Sequence, residues 1–194
     1  MSLIPAFEIG VWNAWIFMAY LLLSIIPFMY IAIKKGVPSV EESGLSGVAK
    51  IFASSSKVLL FPAMVYSIFL PMKLGTAWFY VGLSITLIGL IAYTIVLVNW
   101  ATTPLDNQVS RGLYRYSRHP MYVTMFVFLL GLGIVTASWV LLLLFIVFVV
   151  GCVVFVNVEE QGCLQKYGDS YREYMSKTAR WIGIPKSEIS SERR

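Results

Sequence analysis

The stretch Arg111-Gly112-Leu113-Tyr114-Arg115-Tyr116-Ser117-Arg118-His119-Pro120-Met121-Tyr122 gathers the sole histidine of the chain and three arginines directly before a hydrophobic wall. No residue from Met121 to Val158 is charged, so this cluster lies where a membrane-embedded helix meets water. Such a position suits a soluble cofactor meeting a lipid-like substrate. Asp106, Asn107, Gln108 and Val109 lead into it. Pro120 cannot donate a backbone hydrogen bond but fits a first helical turn, so a helix is expected to start there with its free N–H groups facing the cluster. A second polar group, Asn157-Val158-Glu159-Glu160, closes the apolar run. Acids at a helix C-terminus oppose the helix dipole and ask for a compensating partner or a function. Adjacent helical residues point about 100° apart, so one glutamate is expected inward and the other toward solvent or an arginine.

Each of these residues has a plainer reading. Interfacial arginines anchor bundles to anionic headgroups, which serves for Arg111 and Arg115 as well as any chemistry does. His119 could simply cap the fourth helix, and Tyr114, Tyr116 and Tyr122 are belt residues by default. Trp12, Trp15, Trp78, Trp100 and Trp181 read as interface anchors, and the methionines as packing.

The elements that must position these groups are transmembrane. With 194 residues, 58% hydrophobic and 13% charged, and a mean hydropathy of +0.77, the chain lies outside the balance of soluble domains. The fold class is an all-α integral membrane protein of about five crossing helices, each needing roughly 20 apolar residues. The spans expected are 12–33, 58–72, 76–100, 121–135 and 138–158. Pro62 and Pro71 interrupt the second, which is expected to extend back through Ala49 with Lys50 and Lys57 snorkelling. Gly75, Gly82 and Gly89 fall seven apart, a smooth stripe for close helix packing. Gly131, Gly133, Thr136 and Ser138 supply turn and cap residues that split the long apolar run into a hairpin. Past it, Gly168 marks a helix end, Ser170 and Glu173 stand at capping-box spacing, and the last helix is expected to end near Lys177. Residues 178–185 then return apolar surface to the interface and close the pocket.

Three units follow: residues 1–100 with three helices, 101–185 as the catalytic half with its loop, hairpin and C-terminal helix, and 186–194 as a flexible tail. Lys34, Lys35, Lys50 and Lys57, the arginines of the 111–118 loop and the basic residues after the last span fall on one side, with only Lys73 on the other. The positive-inside rule puts the N-terminus outside and the C-terminus in the cytoplasm, and the first span carries no signal-peptide pattern. The net charge of +5 reflects that topology; no soluble basic face suggests nucleic acid. Cys152 and Cys163 are separated by a helical rise of roughly 16 Å and cannot pair, and one histidine without a CxxC pair makes no metal site.

GLY followed by RHPMY, a Glu-Glu pair one hairpin later, and then KYGDSYREY and TARWIGIP together resemble the isoprenylcysteine carboxyl methyltransferase family over about residues 106–185. The resemblance is to a prokaryotic, archaeal homologue. An RHP segment also resembles those of phospholipid N-methyltransferases and membrane sterol reductases. What the resemblance implies is a monomeric multispan enzyme that binds S-adenosylmethionine at the cytoplasmic face and methylates an amphiphile entering from the bilayer, with the carboxylate of a prenylated cysteine as leading acceptor. It implies that Asp106, Asn107, Gln108, Val109 and Tyr114 line the cofactor, that His119, Pro120, Met121 and Tyr122 form its floor, and that Glu159 holds a polar part of it. Arg118, Glu160 and Arg180 are assigned to the substrate. Thr124 departs from a glycine usual in the family, and the turn Phe155-Val156-Asn157-Val158 lacks the basic residues of the prenylcysteine enzymes.

A carboxylate acceptor, with a reference pKa near 3.5, is already ionised at neutral pH and requires no general base. Alignment is the main task, worth on the order of 7 to 11 kcal/mol in favourable intramolecular models. A partly dehydrated pocket adds to it, because sulfonium and carboxylate neutralise each other. An amine acceptor differs: it must first lose a proton, which makes His119 or Glu160 a required base. The alternatives are therefore a phospholipid N-methyltransferase, a nicotinamide-dependent membrane reductase and, last, a scaffold or transporter subunit.

Overall fold

The computed structural model describes residues 8–34, 61–104 and 108–185. Helix α1 runs Trp15–Lys34. Residues 61–67 are helical, here α2. Helix α3 is Ala77–Ala101, α4 Pro120–Val135, α5 Trp139–Tyr167 and α6 Asp169–Lys177, with a 3-10 turn at Gly112–Arg115. Among the described residues there is no strand, only an isolated bridge between Asn13 and Pro71.

The architecture is all-helical, and among the described residues α3 and α5 are the two helices long and apolar enough to cross a membrane. Helix α4, at 16 residues, is about 24 Å long, short of the roughly 30 Å of a hydrocarbon core. Length and composition therefore mark two candidates among the five expected crossings.

Helices α1 and α3 run parallel, because Tyr20 meets Thr94 through their hydroxyls at 2.7 Å and Phe28 lies 4.2 Å from Trp100, ring to ring. Helix α4 runs back antiparallel to α3: Lys73 N donates to Val135 O at 3.0 Å at one end. One end of the bundle thus carries residues 12–14, 68–76 and 135–139. The other carries the end of α3, the 3-10 turn, the start of α4, the end of α5, α6 and the C-terminal segment.

The glycine stripe is the reason α3 and α4 can lie so close. A Cβ on Gly82 would sit 2.3 Å from Val135 N, one on Gly89 2.5 Å from Phe128 N, and one on Gly131 2.4 Å from Thr86 N. Phe128, Leu132, Val135 and Val96, all fully buried, fill the core around this seam. Gly75 is no part of it; it sits at φ +74° with nothing nearby, in the turn before α3.

Three local expectations need correction. The helix of the second span stops at residue 67, not at Met72; Asn13 Nδ2 donates to Ile68 O at 2.7 Å, Ala14 N to Leu70 O and Met72 N to Trp12 O, a backbone clip that outcompetes helix next to Pro71, whose ring disfavours helical backbone at Leu70. Lys35, Lys50, Lys57 and the start of that span lie outside the described residues, as does the tail. Gly131 and Gly133 are helical, not turn residues. The hairpin closes with Thr136 at the C-cap, Ala137 at φ 51°, Ala137 N donating to Ile134 O and Ser138 N to Gly133 O, a Schellman arrangement, before Ser138 caps α5 through Leu141 N. Ser170 makes no capping box: Gly168, at φ 57°, separates α5 from α6, and Ser170 Oγ donates back across that break to Tyr167 O, the last residue of α5.

Candidate functional site

Helix α5 sets the depth of the site. About 20 residues of helix cross the hydrocarbon, and that count from Trp139 reaches Val158, so the following glutamates emerge at the interface. On α4, Pro120 occupies the first turn as expected, with His119 at the N-cap making no side-chain capping bond. The His119 backbone N–H is instead satisfied by Ser117 Oγ at 3.0 Å. Its imidazole is thereby free to turn toward α5.

There it stands between the two glutamates. His119 Nε2 lies 3.1 Å from Glu160 Oε1, and Nδ1 lies 3.5 Å from Glu159 Oε2. Glu160 is the inward residue, its side chain 4% exposed against 42% for Glu159. It is also the residue that meets arginine: Arg180 Nη2 donates to Glu160 Oε2 at 2.6 Å, and Arg118 Nη1 lies 3.1 Å from Oε1. A buried carboxylate needs cations and directed donors to remain charged, and Glu160 has both. One glutamate thus faces inward and the other solvent, as expected, and it is the inward one that takes the arginines.

The C-terminal segment closes over this cluster as expected. Arg118 N donates to Ala179 O and Gly183 N to Tyr116 O, both at 2.9 Å, and Ser117 Oγ donates to Arg180 O at 3.3 Å. Arg180 Nη1 also donates to Asn157 Oδ1 at 3.0 Å. A guanidinium therefore reaches the turn before the glutamates from 23 residues downstream, although the turn itself has no basic residue. Trp181 is not a detached anchor; its ring lies 6.1 Å from His119 and 5.8 Å from Phe126.

Beneath, the buried Tyr174 hydroxyl donates to Tyr114 O at 2.7 Å and approaches Ser117 O at 3.3 Å, pinning both ends of the segment that delivers Arg118 and His119. Tyr114 is buried, and burial, reinforced by the Glu159 charge, holds its hydroxyl well above the ordinary value of 10.0. It remains a neutral donor. Gln108 Nε2 donates to Ser170 O at 2.8 Å, while its Oε1 is buried without a partner. Pro120 is buried, Met121 and Tyr122 pack against the core, and Val109 is half-buried. Asp106 and Asn107 lie outside the described residues.

Of the sequence-assigned residues, the structure brings Arg118, His119, Tyr122, Glu159, Glu160 and Arg180 together, with the His119 and Tyr122 rings 6.0 Å apart. Arg111 and Arg115 are not among them: both are exposed, and Arg111 Nη2 bonds to Thr102 Oγ1. Sequence reasoning missed Ser117, Asn157 and Tyr174. Their side chains serve backbone atoms or other side chains, and only the tyrosine-rich KYGDSYREY stretch hinted at one of them.

Family comparison adds one match. The model described as phospholipid methyltransferase covers residues 72–170, taking in α3, the polar loop, α4, α5 and the Gly168 break while leaving most of α6 and residues 178–183 outside. No curated protein matches the chain.

Proposed function

Since this chain belongs to the phospholipid methyltransferase family, within the isoprenylcysteine carboxyl methyltransferase-like superfamily, and is thereby a membrane methyltransferase, we propose that it O-methylates the carboxylate of a prenylated cysteine or similar membrane amphiphile, with S-adenosylmethionine as donor. The observation that carries this reading is the position of His119. Nε2 is hydrogen-bonded to Glu160 and Nδ1 is turned toward Glu159, so the imidazole is directed at carboxylates and not at an acceptor, and a carboxylate acceptor needs no base.

The residues present fit the donor. Bound S-adenosylmethionine supplies an electrophilic methyl on a sulfonium. Glu159, half-exposed and not held by an arginine, is suited to its ammonium group; Gln108 Oε1 is a buried acceptor without a partner; Tyr114 offers a neutral hydroxyl. Asp106, Asn107, Val109 and the His119–Tyr122 turn are proposed to complete the cofactor wall. Arg118 faces the substrate side, with Glu160 and Arg180 fixing it from behind. Trp181 and Phe126 provide apolar cover that keeps water from the reacting groups, which favours a displacement in which charge is lost. A prenyl chain stays in lipid because each buried CH₂ is worth roughly 0.8 kcal/mol, so acceptor and donor meet at the interface.

A second reading has its own support. The family's name is for phospholipid acceptors, and Glu159, the carboxylate without an arginine, could take the proton that an amine must lose. Methyl transfer separates the two. Full-length protein in detergent is given labelled S-adenosylmethionine with N-acetyl-S-farnesylcysteine, its amide, or phosphatidylethanolamine. Label in a base-labile ester, absent from the amide, is expected. Label on the phospholipid alone would replace the carboxylate reading with the amine one.

A further inference from the structure

We propose that residues 178–184 form a clasp held shut by the bilayer itself: Ile182 and Ile184 seat in the boundary between lipid headgroups and acyl chains, and that seat keeps Arg180 on Glu160. The proposal requires a membrane protein but does not depend on which acceptor or donor the site takes.

Ring contacts set the depth of the segment. Phe126 lies six residues past Pro120 in α4, about 9 Å along its axis, and its ring meets those of Phe145 and Phe148 at 6.3 and 6.0 Å. Both belong to the apolar stretch of α5, well before Val158, so Phe126 stands inside the hydrocarbon. Trp181 lies 5.8 Å from Phe126 and 6.1 Å from His119. Its indole therefore spans the level at which α5 leaves lipid. The chain passes out of the hydrocarbon beyond Val158, turns through the polar helix α6, and is back at membrane depth by Trp181.

At that depth Trp181 packs inward and its neighbours do not. Ile182 is 74% exposed and Ile184 90%, while Gly183 N between them is tied to Tyr116 O at 2.9 Å. Tyr116 is itself half-exposed. Two isoleucines and a tyrosine make too small a face for a stable protein partner, which needs about 800 Å² on each side. Lipid covers such residues with no such demand. Charge agrees: between Glu173 and Glu188 the charged residues are Lys177, Arg180 and Lys186, all basic, and Arg115 beside Tyr116 is exposed. Apolar and aromatic side chains flanked by cations suit the headgroup layer of an anionic leaflet. Arg180 needs the support. It bonds Glu160 at 2.6 Å and Asn157 at 3.0 Å, yet its side chain is 41% exposed, and water screens an ion pair so placed.

The test uses the full chain in nanodiscs of phosphatidylcholine and phosphatidylglycerol, which leave both faces accessible. With Cys152 and Cys163 replaced by alanine, a nitroxide is placed at Ile184→Cys, at Arg172→Cys as the water reference, and at Val150→Cys on the exposed side of α5 as the lipid reference. Collision with oxygen relative to a water-soluble nickel chelate is expected to be roughly threefold higher at 184 than at 172, toward the value at 150, because oxygen partitions into lipid and the chelate does not. Trypsin then reads the clasp. Cleavage after Arg180 is expected to be roughly tenfold faster in the Ile182→Ser, Ile184→Ser double variant, since proteolysis follows the open population, and unchanged in the paired leucine variant. A nitroxide at 184 that behaves like the one at 172, or a cleavage rate that the serine pair leaves unchanged, overturns the proposal. Should the cysteine-free background unfold, Ile184→Trp and Arg172→Trp in the native background replace the nitroxides, and equal quenching of the two by brominated lipids overturns it. Neither readout uses S-adenosylmethionine, so failure of that donor to bind removes the methyltransferase reading and leaves the clasp to be judged on its own.

Discussion

A carboxylate stays charged inside a protein only where cations and donors surround it, and that condition separates two glutamates adjacent in the chain. Glu160 is enclosed by Arg118, Arg180 and His119, so Glu160→Gln strands two guanidinium groups around an amide. Breaking a buried pair in this way costs about 3 to 5 kcal/mol. A large fall in unfolding temperature is expected, measured by thermal denaturation in detergent. Glu159→Gln has no such partner to strand; its unfolding temperature is expected to stay near that of the unmodified chain while S-adenosylmethionine affinity drops. Equal destabilisation by the two changes would contradict the division of roles. Tyr174 makes a third residue-scale case. Phenylalanine there keeps the ring but leaves Tyr114 O without its donor at 2.7 Å, a loss of about 1 to 3 kcal/mol. The adjoining turn carries Arg118 and His119, so Tyr174→Phe is expected to weaken cofactor binding beyond what its stability loss explains, read by titration at a temperature where the variant is fully folded.

Among the helices, contact distance decides what a glycine is for. Gly89→Ala would place a methyl 2.5 Å from the Phe128 backbone; α3 and α4 must separate, and overpacking of this kind costs about 1 to 3 kcal/mol. Gly162 has nothing within 4 Å, so alanine there gains helix propensity, stabilising by up to about 1 kcal/mol. Opposite shifts in unfolding temperature are the expected result. The helices themselves were largely legible beforehand: α3, α4 and α5 start within a residue or two of their expected positions because apolar runs, Pro120 and the cap residues Thr76 and Ser138 are local signals. The division of labour between Glu159 and Glu160 was not, since it depends on where Arg180 arrives from 20 residues away. Nor was the end of α2, set by Asn13 and Ile68, 55 positions apart. Local chemistry wrote the elements, and contacts distant in sequence wrote the site.

At the scale of the whole molecule, the polar groups segregate to one end. His119, both glutamates and Arg118 stand where α5 leaves the hydrocarbon, whereas Lys73 pairs its backbone with Val135 at the opposite end. The proposed water-soluble cofactor would therefore reach one face only. The excess of basic residues near that face leads us to propose, by the positive-inside rule, that it is the cytoplasmic one, an orientation that labelling can test. Cys152 is buried and Cys163 half-buried, both as free thiols, so they are replaced by serine or alanine in a background shown to retain methyl transfer. Single cysteines at Lys73 and at the exposed Arg115 then report the two ends. In sealed vesicles of known sidedness, a membrane-impermeant maleimide is expected to reach Arg115→Cys from the cytoplasmic side and Lys73→Cys from the other. Labelling of both from one side would mean that the helices between them do not carry the chain across the bilayer. Labelling with the sides exchanged would place the site outside, where an intracellular methyl donor could not reach it.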